Sequence, residues 1–95
     1  MTSTEVMSPR GTMKVLGKPF FGQQPARPMM FARQTPTAEV AQTIAASFHL
    51  PQNVTYSLMD ASNGAALDLR QPIGRHLGEG AELLSATLIP NLHLG

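Results

Sequence analysis

Ninety-five residues, 42% of them hydrophobic and 14% charged, make one small globular domain and leave no room for a multidomain enzyme. A chain of this size buries only about 60 to 65% of the surface its unfolded form exposes, so a deep catalytic cavity would consume much of a thin core. Seven basic and six acidic residues carry no run of like charge that would track a phosphate backbone, and zero cysteines exclude disulfides, thiolate zinc sites and a cysteine nucleophile.

Residues 1–11 are rich in Thr and Ser, contain Pro9 and Gly11, and offer only Val6 and Met7 as apolar anchors, which predicts a flexible tail. Met13, Val15 and Leu16, then Phe20 and Phe21, are interrupted by Gly17 and Pro19, a pattern compatible with an edge-like or bulged strand. After a turn region over 22–28, Met29 to Gln34 reads as a second strand, apolar on both faces, and completes a hairpin.

Thr35-Pro36 is a helix start signal, a threonine able to cap free amides before a proline at the first helical position. Val40, Ile44 and Phe48 recur every four residues beside Ala41 and Ala45, which predicts a helix of about 13 residues with one apolar stripe, ended by Pro51. Val54, Tyr56 and Leu58 then alternate with polar residues, the period of a half-buried strand. Asn63-Gly64 supplies a turn, and Ala65 to Leu69 is expected to return as a short strand. Ile73 and Leu77 suit a single helical turn within the glycine-rich stretch 71–80, and Glu82 to Ile89 reads as a central apolar strand stopped by Pro90.

Chemistry-bearing groups are sparse. His49, His76 and His93 fall at a helix end, in a loop and near the terminus, with no metal-ligand spacing. Asp60 and Asp68 flank the second turn and are read as turn residues, not as an acid–base pair. Residues 74–80 lack the lysine-serine ending of a phosphate loop. No apolar stretch approaches the ~20 residues of a membrane span, and the N-terminus lacks a secretory signal, so a cytoplasmic protein without membrane or nucleic-acid partners, metal or cofactor is expected.

The order hairpin, helix, strand, short strand, helical turn and final apolar strand resembles the β-grasp domain of ubiquitin and its relatives. The resemblance covers roughly residues 35–92, carried by the threonine-led helix start, Val40 and Ile44 as its inward stripe, Leu50-Pro51 after the helix, and Leu67, Ile73, Leu77 and Leu83 at the anchor positions of later elements. It implies an α+β fold with a mixed four- to five-stranded sheet and one helix across it, over a domain of 12–90, with 91–95 as an extended tail. It further implies a protein modifier of bacterial ubiquitin-like type, not an enzyme. In such proteins an E1-like adenylating enzyme activates the terminal glycine, here Gly95, an E2-like conjugating enzyme carries it to amines of target proteins, and a protease deconjugates it. On this resemblance Leu92, His93 and Leu94 form the tail that those enzymes contact, and Lys14 and Lys18, the two lysines of the chain, are the candidate acceptors for chain formation. A non-conjugated adaptor of the secretion-system type, binding partners through a sheet face with Tyr56 and Leu58, is the alternative, as is a sulfur carrier. Self-association through an open strand edge is a further expectation.

Overall fold

A computed structural model describes residues 11–77 and 81–91. Strands β1 (Thr12–Pro19) and β2 (Arg27–Ala32) are followed by helix α1 (Thr37–Ser47), strand β3 (Thr55–Asp60), a 3-10 turn (Ile73–His76) and strand β4 (Leu83–Asn91). The sheet order is β2-β1-β4-β3. β1 pairs antiparallel to β2 and parallel to β4, and β4 pairs antiparallel to β3. This is the four-stranded mixed sheet with one helix across it that the resemblance implies. β1 is therefore an interior strand, not an edge. Its glycine and proline are tolerated because Gly17 lies under the helix and Pro19 closes the strand at its last parallel pair, with Leu88.

Burial alternates along β1, with Met13, Val15, Gly17 and Pro19 inward and Lys14 and Lys18 exposed. A β-carbon on Gly17 would lie 2.9 Å from Cδ1 of Ile44, so the missing side chain lets the helix settle close to the sheet. Val40, Ala41, Ile44, Ala45 and Phe48 meet Met13, Val15, Leu58, Leu84 and Leu88 in one core beneath α1, and Ile73 seals its rim. Full burial of each large aliphatic side chain contributes about 1.5 to 3 kcal/mol.

The helix begins differently from expectation. Pro36 occupies the N-cap position without a side-chain cap, and α1 has 11 residues. The carbonyl of Thr35 instead accepts the Ile73 amide, and the amides of Thr37 and Ala38 donate to the carbonyls of Gln71 and Leu69. The Thr37 hydroxyl also donates to Gln71, at 2.7 Å. Backbone from the following loop thus satisfies donors that a capping side chain would otherwise meet. The helix also ends before Pro51. His49 adopts φ 60°, and the amides of His49 and Leu50 donate back to Ala46 and Ala45, a Schellman closure built on a residue other than glycine. Arg27, at the start of β2, donates to the Ser47 carbonyl and lies 4.8 Å over the Phe48 ring, placing a cation at the negative end of the helix.

Two further expectations change. After the turn at Gly64 (φ 75°), the returning segment 65–69 makes a single bridge, Met59 with Ala66, where a short strand is expected. Pro90 does not stop β4, which continues to Asn91, paired with Thr55. The Leu88 carbonyl accepts the Phe20 amide on the β1 side. Two residues on, the amide that Pro90 lacks would point the same way, past the end of β1, so no ladder bond is lost. At the other end, the Gly11 carbonyl accepts the Arg33 amide, which ties the residue before β1 to the end of β2. The rest of the N-terminal segment, 1–10, lies outside the described residues.

Two substitutions check these backbone constraints by chemical denaturation. His49 is exposed, so His49→Gly removes the left-handed strain at little cost in contacts and raises stability by about 1 kcal/mol. A β-carbon on Gly74 would lie 2.8 Å from Cβ and 3.0 Å from the carbonyl oxygen of Arg33, and backbone cannot yield as a side-chain tip can. Gly74→Ala therefore destabilises by roughly 1 to 3 kcal/mol.

Candidate functional site

One helix covers one face of the sheet, and the register defines what the opposite face presents. Met30, Lys14 and Leu83 stand side by side across β2, β1 and β4, and Pro28, Leu16 and Ser85 form the next row. Thr87 with Met59 and Ile89 with Ser57 continue the face toward the end of β4. Met30 and Leu83 are 60% and 49% exposed, values ordinary for lysine and unusual for large apolar side chains. Lys14 and Lys18 project from this face of β1 and are exposed.

Past Pro19 the chain carries Phe20 and Phe21, 60% and 46% exposed, their rings edge to face at 5.5 Å between centroids. The Phe20 amide binds β4 at Leu88, so this aromatic pair sits beside the last residues of that strand. There the Ser57 hydroxyl donates to Oδ1 of Asn91 at 2.8 Å, fixing the end of β4 against β3. Leu92, His93, Leu94 and Gly95, the expected tail and reacting terminus, lie outside the described residues.

Tyr56 and Leu58 do not form a partner-binding face. Both point inward under α1, 3% and 0% exposed. Gln42 of the helix accepts the Tyr56 amide and donates to the Val54 carbonyl, and the Tyr56 hydroxyl donates to the Pro51 carbonyl. Their alternation signals one buried face of β3. The accessible residues of that strand are the intervening ones, with Met59 as the apolar member.

Asp60 and Asp68 serve turns. Oδ1 of Asp60 accepts the hydroxyl and amide of Ser62 at 2.7 and 2.9 Å, and these bonds, the hydroxyl first, hold its carboxyl below the ordinary value of 3.8. Asp68 is lowered first by the Arg70 amide. Nε2 of His76 lies 3.2 Å from the Asp68 carbonyl oxygen, while His49 closes the helix. Among the described residues no three His, Asp or Glu side chains converge as metal ligands, and no helix is long and apolar enough to cross a membrane.

No protein-family profile matches the chain, and no curated protein matches it either. Solved structures do. An archaeal ubiquitin from Caldiarchaeum subterraneum superposes with a TM-score of 0.66 at 22% identity, over 90% of this chain and 100% of that one. Trypanosoma brucei ATG8 gives 0.66 at 6% identity, over 96% of this chain and 82% of that one. A ubiquitin-like domain of a splicing factor gives 0.53 at 19% identity, over 88% and 74%. The chain has the ubiquitin-like β-grasp fold.

The Asp60 turn makes a pH prediction. Its carboxyl titrates lower in the folded chain than in the unfolded one, so its contribution to stability is present above 3.8 and disappears as pH falls through the folded value. Denaturation between about pH 5 and about pH 2 is expected to show a shallower loss of stability for Asp60→Asn than for the parent chain.

Proposed function

We propose that this chain is a ubiquitin-like protein modifier activated at Gly95. The observation that carries the reading is the β-grasp sheet whose central strand, β4, runs to Asn91, with only Leu92, His93 and Leu94 between it and Gly95 in the sequence. An E1-like enzyme joins the Gly95 carboxylate to the α-phosphate of ATP, releasing pyrophosphate. A cysteine thiolate then displaces AMP to give a thioester, which passes to an E2-like enzyme, and a target amine displaces that thiolate to form the amide. Glycine suits this role because it brings no side chain into a narrow channel. In this reading the chain, which has no cysteine, is the substrate of other enzymes that supply the thiols and the nucleotide site. A protease that cleaves the new amide reverses the process.

Lys14 and Lys18 are the side-chain amines through which copies would be linked to one another, and both are accessible on the open face. The exposed apolar side chains of that face favour a second reading, in which the chain binds partners without being conjugated.

Incubation of the full chain with host lysate and ATP separates the two. ATP-dependent adducts, heavier than their targets by about the 10.2 kDa of the chain, are expected to form and to vanish on deletion of Gly95. An adduct pattern unchanged by that deletion, or partner capture without any adduct, overturns the modifier reading.

A further inference from the structure

The turn that leaves β3 brings an asparagine and a glycine together in a reactive arrangement. Asn63 and Gly64 are both exposed, and Gly64, at φ 75°, has no atom within 4 Å of where a β-carbon would stand, its chain neighbours apart. Oδ1 of Asn63 accepts the Ala65 amide at 2.9 Å, and the Gly64 amide donates to the Asp60 carbonyl at 2.8 Å. Of the three asparagines of the chain, Asn63 alone precedes glycine, whereas Asn53 precedes Val54 and Asn91 precedes Leu92. We propose that Asn63 is a self-modifying site, at which the Gly64 nitrogen closes on the side-chain carboxamide and converts residue 63 to aspartate and isoaspartate.

The chemistry needs only the groups of the turn and water. Hydroxide takes the proton of the Gly64 amide, the nitrogen forms a bond to Cγ of Asn63, and the carbonyl electrons move onto Oδ1. The Ala65 amide, 2.9 Å from that oxygen, is a donor aimed at the charge as it develops. Collapse breaks the Cγ–Nδ2 bond, and Nδ2 leaves as ammonia with a proton from water, which restores the hydroxide and closes a succinimide. Water then opens the ring at either carbonyl carbon, giving aspartate, or isoaspartate with the main chain routed through the side chain. In sum, water is consumed and ammonia released, without oxidant or cofactor. Glycine leaves the attacking nitrogen uncrowded, whereas the β-branched Val54 shields the nitrogen that follows Asn53. The bond from the Gly64 amide to Asp60 must open before hydroxide reaches the proton, so that bond, in an exposed turn, sets the pace.

The two products alter the turn differently. Aspartate keeps an acceptor for the Ala65 amide and adds a negative charge beside the Asp60 turn. Isoaspartate lengthens the main chain by a carbon just before the residues that cover the outer edge of β3. There the Ala65 carbonyl accepts the Asp60 amide, Ala66 bridges Met59, and the Leu67 amide donates to Leu58. A longer chain at residue 63 loosens these contacts and frees that edge for pairing.

The test ages the full, folded chain in mildly alkaline buffer made with heavy-oxygen water. Tandem mass spectrometry then follows the tryptic fragment 34–70, which holds both Asn53 and Asn63. Heavy oxygen is expected at position 63, with isoaspartate outnumbering aspartate, at a rate about tenfold above that at Asn53. The rate should rise with hydroxide concentration. Asn63→Gln, whose longer side chain must close a larger ring, should stop the change, and Gly64→Ala should slow it about tenfold. Hydrogen exchange of the Asp60 and Leu67 amides should quicken in the isoaspartate form, and unchanged exchange overturns the loosening of the edge. Asn63 left intact in the folded chain but modified in the chain unfolded by urea overturns the proposal, because the turn then protects the site. Equal rates at Asn53 and Asn63 also overturn it, as does aspartate without isoaspartate, the outcome of direct hydrolysis. A Gly64→Ala chain that is folded by circular dichroism and reacts at the parent rate removes the Gly64 nitrogen as the nucleophile and overturns it equally.

Discussion

The parallel ladder between β1 and β4 joins the first described strand to the last, and the rest of the architecture follows from it. Six residue pairs, Lys14 with Leu83 through Pro19 with Leu88, hold together segments separated by most of the chain. A parallel pair requires a crossover, and the preferred right-handed path carries α1 across one face of the sheet. Eleven helical residues cover that face and no other. Gly17 under Ile44 brings the helix close, and the carbonyls of Leu69 and Gln71 hold its first turn in place. The opposite face is left without a helix, and Lys14, Lys18, Met30 and Leu83 gather there.

Local signals carried much of this into the sequence. The four-residue recurrence of Val40, Ile44 and Phe48, the alternation at Tyr56 and Leu58 and the apolar run from Leu83 are each a direct imprint of burial. Order along the chain then suffices for the resemblance. What the sequence conceals is everything decided at long range. Nothing near Met13 says that its strand has a partner on both sides, because one partner begins almost at the other end of the chain. Alternation marks one face of β3 as distinct, but an apolar row looks the same whether it meets a helix or a partner protein, and Tyr56 and Leu58 meet the helix.

The helix ends teach the same lesson in smaller compass. Thr35 and Pro51 are sound capping and stopping signals taken alone. The donors that Thr35 would satisfy find backbone carbonyls from a loop more than thirty residues away, and the chain turns at His49 before Pro51 is reached. Pro90, too, would break a strand with two neighbours and is harmless here because one neighbour has already ended. In the candidate site, the positions of Lys14 and Lys18 follow from strand parity, whereas Met30 and Leu83 become their neighbours only through register, which no local pattern encodes.

The same ladder has a mechanical consequence. β1 is entered at one end of the sheet and β4 is left at the opposite end, so tension applied between Thr12 and Asn91 acts along the strands and not across them. The inter-strand bonds are then loaded in shear, all together, instead of being peeled one by one as a hairpin pulled from its open end would be. A protein drawn by its last strand into an unfolding machine would resist at this ladder first, and would give way in a single step.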